Sequence, residues 1–339
     1  MIELSQKIIQ LIQTARSRVA VAVNTTMVHT YFEIGRMIVD ELQEGQERAK
    51  YGTNLLNYVS KDLTGQLGKG FSETNLKQMR DFYHAYSIRQ TVSDELNDGP
   101  FEKFKNLTFR LSWSHYLLLM RIDNLDERNF YEIETHQNQW SVRYLQRQFN
   151  TSLYERLVLS RDKEKIKELA IKGQLIENPQ DLLKEPLILE FLGLEEKNEY
   201  SETELETAII NQIEKFMLEL GKGFFFGGRQ VRFTFDEDHF KVDLVFYNRL
   251  LQCFILIDLK IGKLSHQDLG QMQMYVNYYD RMVKLEDENK TIGIILCQKK
   301  SDLLVEMTLP ENNDQIFASR YQTVLPSKEE LRDLLGSKE

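Results

Sequence analysis

Cysteine, proline and tryptophan are scarce in this 339-residue chain, at two, five and two residues. Only Cys253 and Cys297 are present, both inside apolar runs (QCFILI, IILCQ). That excludes a disulfide scaffold, and the pair reads as buried thiols of a reducing compartment rather than a bridge or a metal site. The composition also excludes collagen and a long disordered tail. No apolar run approaches the roughly 20 residues that span a bilayer, so no membrane partner is expected. The amphipathic start MIELSQKIIQLIQTARSRV places Glu3 where a signal peptide needs positive charge, so the expected location is cytoplasmic. There is no glycine-rich P-loop, hence no expected ATPase. There are no internal repeats, and the histidines show no metal-ligand spacing.

What is present is ordinary for a soluble globular protein: 42% hydrophobic and 28% charged residues. The length favours two domains at about 150 residues each. The net charge of −9 is unevenly spread. Residues 1–157 hold 19 basic and 19 acidic side chains, whereas 158–339 hold 24 and 33. A nucleic-acid contact needs a local basic face rather than a basic total. Carboxylates concentrated in one half are also what a metal site requires.

Residues 1–157 read as helical. Ile8, Ile9, Leu11, Ile12, Ala15, Val19 and Ala22 recur at helical spacing, and Tyr31, Ile34, Met37, Ile38 and Leu42 continue it in a second segment. A short helix over Leu55–Leu63, the turn TGQLGKG, and a helix capped by Ser72 give the outline of a helix-turn-helix over 53–86. Its basic residues Lys69, Lys77 and Arg80 are candidates for phosphate contact. Residues 87–106 read as a polar loop, and Ser141 as the cap of a further helix. Residues 158–200, charged and containing Pro179 and Pro186, read as a linker with connecting helices. The last domain, 201–339, begins with the capping box Ser201-x-x-Glu204 and a helix running to GKG at 221–223. Strands are expected at 229–235, 240–248 and 252–260, then a helix from about Ser265 to Leu285, and strands at 291–298 and 321–325. Phe240, Val242, Leu244 and Phe246 alternate onto one face of the second strand. The chain is thus expected to be α+β with two domains: an all-α, helix-turn-helix-like first domain and an α/β second domain with a small central mixed sheet.

Two of these strands carry charges at odds with their apolar surroundings. Burying a lone carboxylate costs several kcal/mol unless it is paired or bound to metal. Asp243 interrupts KVDLVF, and Asp258 and Lys260 share one face at the end of FILIDLK. A hairpin turning at NRLL brings Asp243 next to Asp258. On the preceding helix, Glu206 lies four residues before Ile210, on the buried side, with Glu219 roughly opposite on the solvent side. Three hard oxygen donors suit Mg²⁺ or Mn²⁺. Lys260 can stabilise charge developing on a phosphate. The set fits metal-assisted phosphodiester hydrolysis.

The Asp243…Asp258-Leu259-Lys260 pattern resembles the core of the PD-(D/E)xK, restriction-endonuclease-like nucleases. The strings LETAIINQIEKFMLELGKGF, FGGRQVRF, VDLVFYNRLLQCFILIDLKIG, LGQMQMYVNYYD and IGIILC resemble the YhcG-like bacterial PDDEXK nuclease domain. YFEIGRMI, YGTNLL, GFSETNLKQMRDFY, LSWSHYLLL, NFYEI and WSVRYLQRQ resemble the helical domain that precedes it in that family. The resemblance implies a catalytic set of Glu206, Asp243, Asp258, Lys260 and Gln271. It implies a Mg²⁺ (or Mn²⁺) site on Glu206, Asp243, Asp258 and the Leu259 backbone carbonyl. Gln271 and Tyr275 match a Q-x-x-x-Y element one helical turn apart, with Tyr275 a candidate DNA contact. Val242 departs from the motif's proline at a position that carries no chemistry. The implied activity is a metal-dependent DNA endonuclease of defence, restriction or recombination and repair. The alternative is a DNA- or protein-binding accessory factor of low or conditional activity. A homodimer, or a protein partner held by residues 1–157, are the further expected partners besides DNA.

Overall fold

The computed structural model describes residues 2–44, 49–87, 109–161, 163–194, 200–235, 237–326 and 330–331. The loop expected over 87–106 falls, but for Ser87, outside the described residues. The chain forms two compact units, Met1–Gln146 and Arg147–Glu339.

The first unit is helical. α1 (Ile2–Glu44) joins the two expected segments into one helix of 43 residues. α2 (Ala49–Leu67) and α3 (Glu73–Ser87) follow, then α4 (Trp113–Leu119), α5 (Leu125–Gln137) and α6 (Val142–Asn150), which crosses the division between the units. Ile38, Leu56, Leu76 and Met79 form the core between α1, α2 and α3. α1 crosses α3 so closely that a Cβ on Gly35 would lie 2.1 Å from the Met79 carbonyl oxygen. Phe32, Phe82, Phe109 and Tyr116 close a second cluster of packed rings. The α2–α3 turn contains Gly68 and Gly70, both at positive φ, which L side chains rarely adopt. Ser72 Oγ accepts from the Asn75 N–H at 3.3 Å, as expected of a cap.

The second unit opens with α7 (Leu153–Leu159) and α8 (Lys163–Lys172). Residues 158–194 are not a solvated linker. Leu169, Leu182, Leu187 and Leu194 are buried, and strand β1 (Leu187–Ile188) joins the sheet. Charge density along this stretch misleads because its apolar residues face the core, and Asp181 and Lys184 are buried with them.

The helix expected over 201–221 is two helices, α9 (Glu202–Asn211) and α10 (Ile213–Leu220), broken at Gln212 (φ −122°, ψ 31°). The break resets the helical phase, and this corrects the placement of Glu219. Glu219 is fully buried and meets Arg156 at 2.5 Å, with the Ile188 N–H donating to the same oxygen at 3.1 Å.

β2 (Phe224–Phe235), β3 (Asp238–Asn248) and β4 (Cys253–Lys263) form an antiparallel meander. α11 (His266–Tyr278) crosses to β5 (Ile292–Lys299), and α12 (Asp302–Thr308) to β6 (Ile316–Gln322). The sheet order is β1-β6-β5-β4-β3-β2, with β4, β5, β6 and β1 parallel. The sheet is therefore mixed, as expected. The last strand begins five residues earlier than expected, and α12 buries none of its side chains, so no apolar stripe marks it in the sequence.

Each face of the sheet has its own core. Leu205, Ile209, Phe216 and Leu220 of α9 and α10 cover one face, with Leu244 and Phe246. Leu269, Met272, Tyr275 and Val276 of α11 cover the other, with Val242 and the partly buried Phe240. A Leu or Ile fully buried here contributes about 1.5–3 kcal/mol. The expected single face through Phe240, Val242, Leu244 and Phe246 is thus split in two. Pairing of β3 with β4 stops at Leu244–Ile257, and the alternation of β3 changes phase at Asp243.

Candidate active site

The register sets a row across three strands. On the β2–β3 ladder, Arg229 pairs with Leu244 and Val231 with Val242, so Gln230 and Asp243 stand opposite each other in a gap. On β3–β4, the next pair after Leu244–Ile257 would be Asp243 and Asp258. Where the ladder gives way, the Asp243 carboxylate takes a backbone position: its Oδ2 accepts from the Leu259 N–H at 2.9 Å. The N–H and C=O of one strand residue point to the same neighbour. The Leu259 carbonyl therefore also faces the β3 side.

α9 lowers Glu206 onto this row from the sheet face it covers. Glu206 and Asp258 are each only 4% exposed. Glu206, Gln230, Asp243, Asp258, Lys260, Gln271 and Tyr275 line one open cavity of about 340 Å³. Every nuclease-domain side chain singled out from the sequence thus reaches the same cavity.

The electrostatics are those of crowded anions. Burial first, then the charge of Asp243, pushes the Asp258 carboxyl up to about 7, against the opposing pull of Lys260. The same two causes raise Glu206, while Arg229 and Gln230 pull it back. Burial would lower Lys260, but Asp258 and Glu202 outweigh it and raise the ammonium above its ordinary value. Lys260 Nζ lies 3.0 Å from Asp258 Oδ2 and 3.7 Å from Glu202 Oε2.

This donor set fits a divalent cation in its chemistry. Glu206 Oε1 and Asp258 Oδ2 are buried and accept no aligned hydrogen bond, although each faces a cation, Arg229 at 3.5 Å and Lys260 at 3.0 Å. Buried carboxylate oxygens that face cations rather than aligned hydrogen-bond donors are what a hard metal ion can also satisfy. The side chains do not yet close around one point: among the described residues, no three Asp, Glu, His or Cys groups stand at metal-binding spacing. Instead the Gln230 amide Nε2 bridges the anions, donating to Asp243 Oδ1 at 3.3 Å and to Glu206 Oε2.

Gln230 is the residue that motif reading misses. Its backbone is left-handed at φ 51°, an uncommon state for a side-chain-bearing residue. That kink lets consecutive residues, Arg229 and Gln230, both reach Glu206. The signal was the register: counting back along the hairpin from Asp243 lands on Gln230. Tyr275 differs from its expected role as a DNA contact. It is 1% exposed, accepts from Gln271 Nε2 at 2.6 Å and donates to the Lys241 carbonyl at 2.9 Å. Its hydroxyl is spent on holding Gln271 and β3 in place. His266 is exposed at the start of α11.

In the first unit, Lys77 pairs with Glu73 at 2.7 Å and Arg80 with Asp81 at 2.8 Å. Lys69 is exposed in the α2–α3 turn. The helix-turn-helix outline thus carries two cations that are already partnered. Among the described residues no helix is long and apolar enough to cross a membrane.

Comparison with known proteins places both halves of the chain. Residues 7–156 match the DUF1016 N-terminal domain, and residues 180–336 match the YhcG PDDEXK nuclease domain. The chain is 41% identical to "Putative nuclease YhcG" of Escherichia coli (strain K12), over 97% of its own length and 92% of that protein. Among solved structures, it resembles a repair endonuclease from Pyrococcus abyssi at 16% identity and a TM-score of 0.26, covering 38% of this chain and 50% of that one. It also resembles EndoMS in a complex with double-stranded DNA, at 15% identity and a TM-score of 0.26, covering 39% and 48%. By the match of both domains and the identity along nearly its whole length, the chain belongs to the YhcG family of PDDEXK nucleases.

Proposed function

We propose that the chain is a Mg²⁺- or Mn²⁺-dependent DNA endonuclease, acting in the cytoplasm in defence, restriction or recombination and repair. Glu206, Asp243, Asp258 and the Leu259 carbonyl would hold the ion. A divalent cation there supplies a Lewis acid for the phosphoryl oxygen and a bound water of lowered pKa. Lys260, fixed by Asp258 and Glu202, keeps its proton and faces the charge that grows on the phosphate during displacement. Gln271, held by Tyr275, presents its amide at the rim of the same cavity. The observation that carries this reading is the crowding of the buried carboxylates Glu206 and Asp258 with Asp243 and Lys260 in one cavity. Residues 1–157 would bind DNA through Lys69, Lys77 and Arg80.

The accessory-factor reading keeps the fold but not the chemistry. A scaffold has no use for carboxylates that repel one another in a buried cleft, which favours the enzyme. The deciding experiment incubates linear, nicked, single-stranded and branched DNA with the purified chain in Mg²⁺, Mn²⁺ or EDTA. Cleavage dependent on the metal and lost in Asp258→Ala is the expected result. Metal-independent cleavage, or equal rates in the variant, would exclude this site.

A further inference from the structure

The outer half of the β2–β3 hairpin has two unlike faces. Val231, Phe233, Phe240 and Val242 pack toward α11, where Phe233 stacks on Tyr278 at a centroid distance of 4.0 Å. Arg232, Thr234, His239 and Lys241 alternate with them onto the opposite face, and all four are exposed. In register, Arg232 stands directly across from Lys241, and Thr234 from His239.

A like-charged pair directly opposed on neighbouring strands destabilises a hairpin. Neither Arg232 nor Lys241 forms an ion pair among the described residues; Lys241 only exerts its charge on Glu206 from a distance. Among the described residues the repulsion is offset only by the attraction of Lys241 to Glu206, and the pair sits beside the acidic cavity. Gln230 and Asp243 are the next cross-strand positions inward, and Lys241 and His239 line the cavity itself. Thr234 Oγ1 lies 2.8 Å from His239 Nδ1, which fixes the imidazole on that face.

We propose that this face is a track for the phosphodiester backbone of a nucleic-acid strand. Arg232 and Lys241 grip the phosphate adjacent to the one at the carboxylates, and Thr234 with His239 receive the one beyond. The inference rests on the nuclease reading and extends it to named phosphate subsites. Residues on one strand face recur about every 7 Å, a step comparable to that between successive phosphates along a strand. An anion between Arg232 and Lys241 turns their repulsion into a clamp. The exposed Glu237 and Asp238 at the hairpin end repel a backbone and bound the track at Thr234 and His239.

The test measures binding of the full-length chain to a fluorescein-labelled single strand and to its duplex, in EDTA, across a salt series. Each phosphate neutralised contributes a log–log salt slope of about −0.7 on a single strand and −0.9 on a duplex. The variant Arg232→Gln/Lys241→Gln gives up one phosphate contact and is expected to flatten the slope by about 0.7 on the single strand and about 0.9 on the duplex. Between about 50 and about 200 mM salt the wild type should then lose roughly threefold more affinity than the variant. The charge-keeping Arg232→Lys/Lys241→Arg should retain the wild-type slope. The neutral variant should melt no lower than wild type, because a repulsion has been removed. An unchanged slope, a conservative variant that behaves like the neutral one, or a lowered melting temperature would each overturn the proposal. No cleavage enters this measurement. A chain that cuts nothing yet shows the slope change would retire the nuclease reading and leave the track standing. A chain that cuts DNA with an unchanged slope would do the reverse.

Discussion

The amide of Gln230 is tied to Asp243 across a gap in the β2–β3 ladder, at 3.3 Å, and the same nitrogen donates to Glu206. One neutral donor thus stands between two carboxylates that would otherwise face each other. Gln230→Leu removes it without adding charge. In metal-free buffer this should cost about 1.5–3 kcal/mol, the worth of hydrogen bonds to charged acceptors. Adding Glu206→Gln, which discharges one of the pair and supplies a new amide, should restore most of the loss. Mn²⁺ binding by calorimetry should weaken about tenfold in the single variant, as for other groups that orient metal-binding carboxylates. Wild-type melting and wild-type affinity together would show that Gln230 orients nothing.

Asp258 gives the site a pH signature. Its carboxyl is raised to about 7 by burial and by Asp243. The native chain therefore holds a proton there that the unfolded chain, with an ordinary carboxylate near pH 4, has released. The native state then binds more protons than the unfolded state between about pH 4 and about pH 7, so metal-free stability falls as pH rises through that window. Glu206, raised for the same reasons, adds to the fall. Urea titrations in EDTA at several pH values should show the decline, and Asp258→Asn should flatten it. An equal slope in the variant would place the titrating group elsewhere.

Lys260 should matter to turnover more than to metal affinity, because an ammonium coordinates no metal. Lys260→Ala is expected to lower kcat by about 10²-fold or more, as the loss of one preorganised charge partner does. Asp258 also loses its cation, so the metal-free variant should bind a proton more tightly there. Calorimetric Mn²⁺ titration separates the cases: if metal binding vanishes along with activity, Lys260 serves the architecture and not the reaction.

The site was legible in the sequence where chemistry and periodicity coincide. Asp243 and Asp258 stood out because strands buried on both faces do not otherwise carry carboxylates, and a hairpin of that spacing aligns them. Glu206 stood out by its helical phase relative to Ile210. The same phase argument failed at Glu219, because it assumed an unbroken helix through Gln212. Gln230 leaves no hydropathy pattern, because its role depends on a left-handed kink and a register gap, and only the hairpin count from Asp243 points to it. The alternation through Phe240 and Phe246 failed at the same place, where Asp243 replaces a backbone group in the ladder.

The buried Glu219 makes a separate prediction about stability. Burial alone would raise its carboxyl, but Arg156, Lys184 and Arg147 overrule it and hold it below the ordinary range. Arg156 is itself fully buried and also donates to the carbonyls of Thr151 and Pro186. Arg156→Met strips the buried Glu219 carboxylate of its nearest cation and leaves it Arg147 at 3.7 Å and the Ile188 N–H, at a cost of about 3–5 kcal/mol. Arg156→Met/Glu219→Leu should recover much of it, since an apolar pair needs no partner. Chemical denaturation of both full-length variants checks this, and an additive double variant would refute the coupling.

The first unit offers the last test, because two of its three candidate cations already have partners. Lys77 and Arg80 each stand beside a carboxylate, Glu73 and Asp81. A phosphate must compete with those partners, and exposed pairs of this kind are worth only about 0–1 kcal/mol. The competition weakens DNA binding without preventing it. Lys77→Glu/Arg80→Glu should therefore lower the DNA affinity of the full chain modestly and flatten its salt slope by about two, one for each lost duplex phosphate contact. Glu73→Gln/Asp81→Asn should do the opposite and tighten binding, because it frees both cations. Mn²⁺ affinity should be unchanged in all of these variants, since none touches the carboxylates of the nuclease domain. If neither reversal nor release moves the slope, the helical domain takes no part in holding DNA. A protein partner or a second copy of the chain would then be the occupant to seek on α2 and α3.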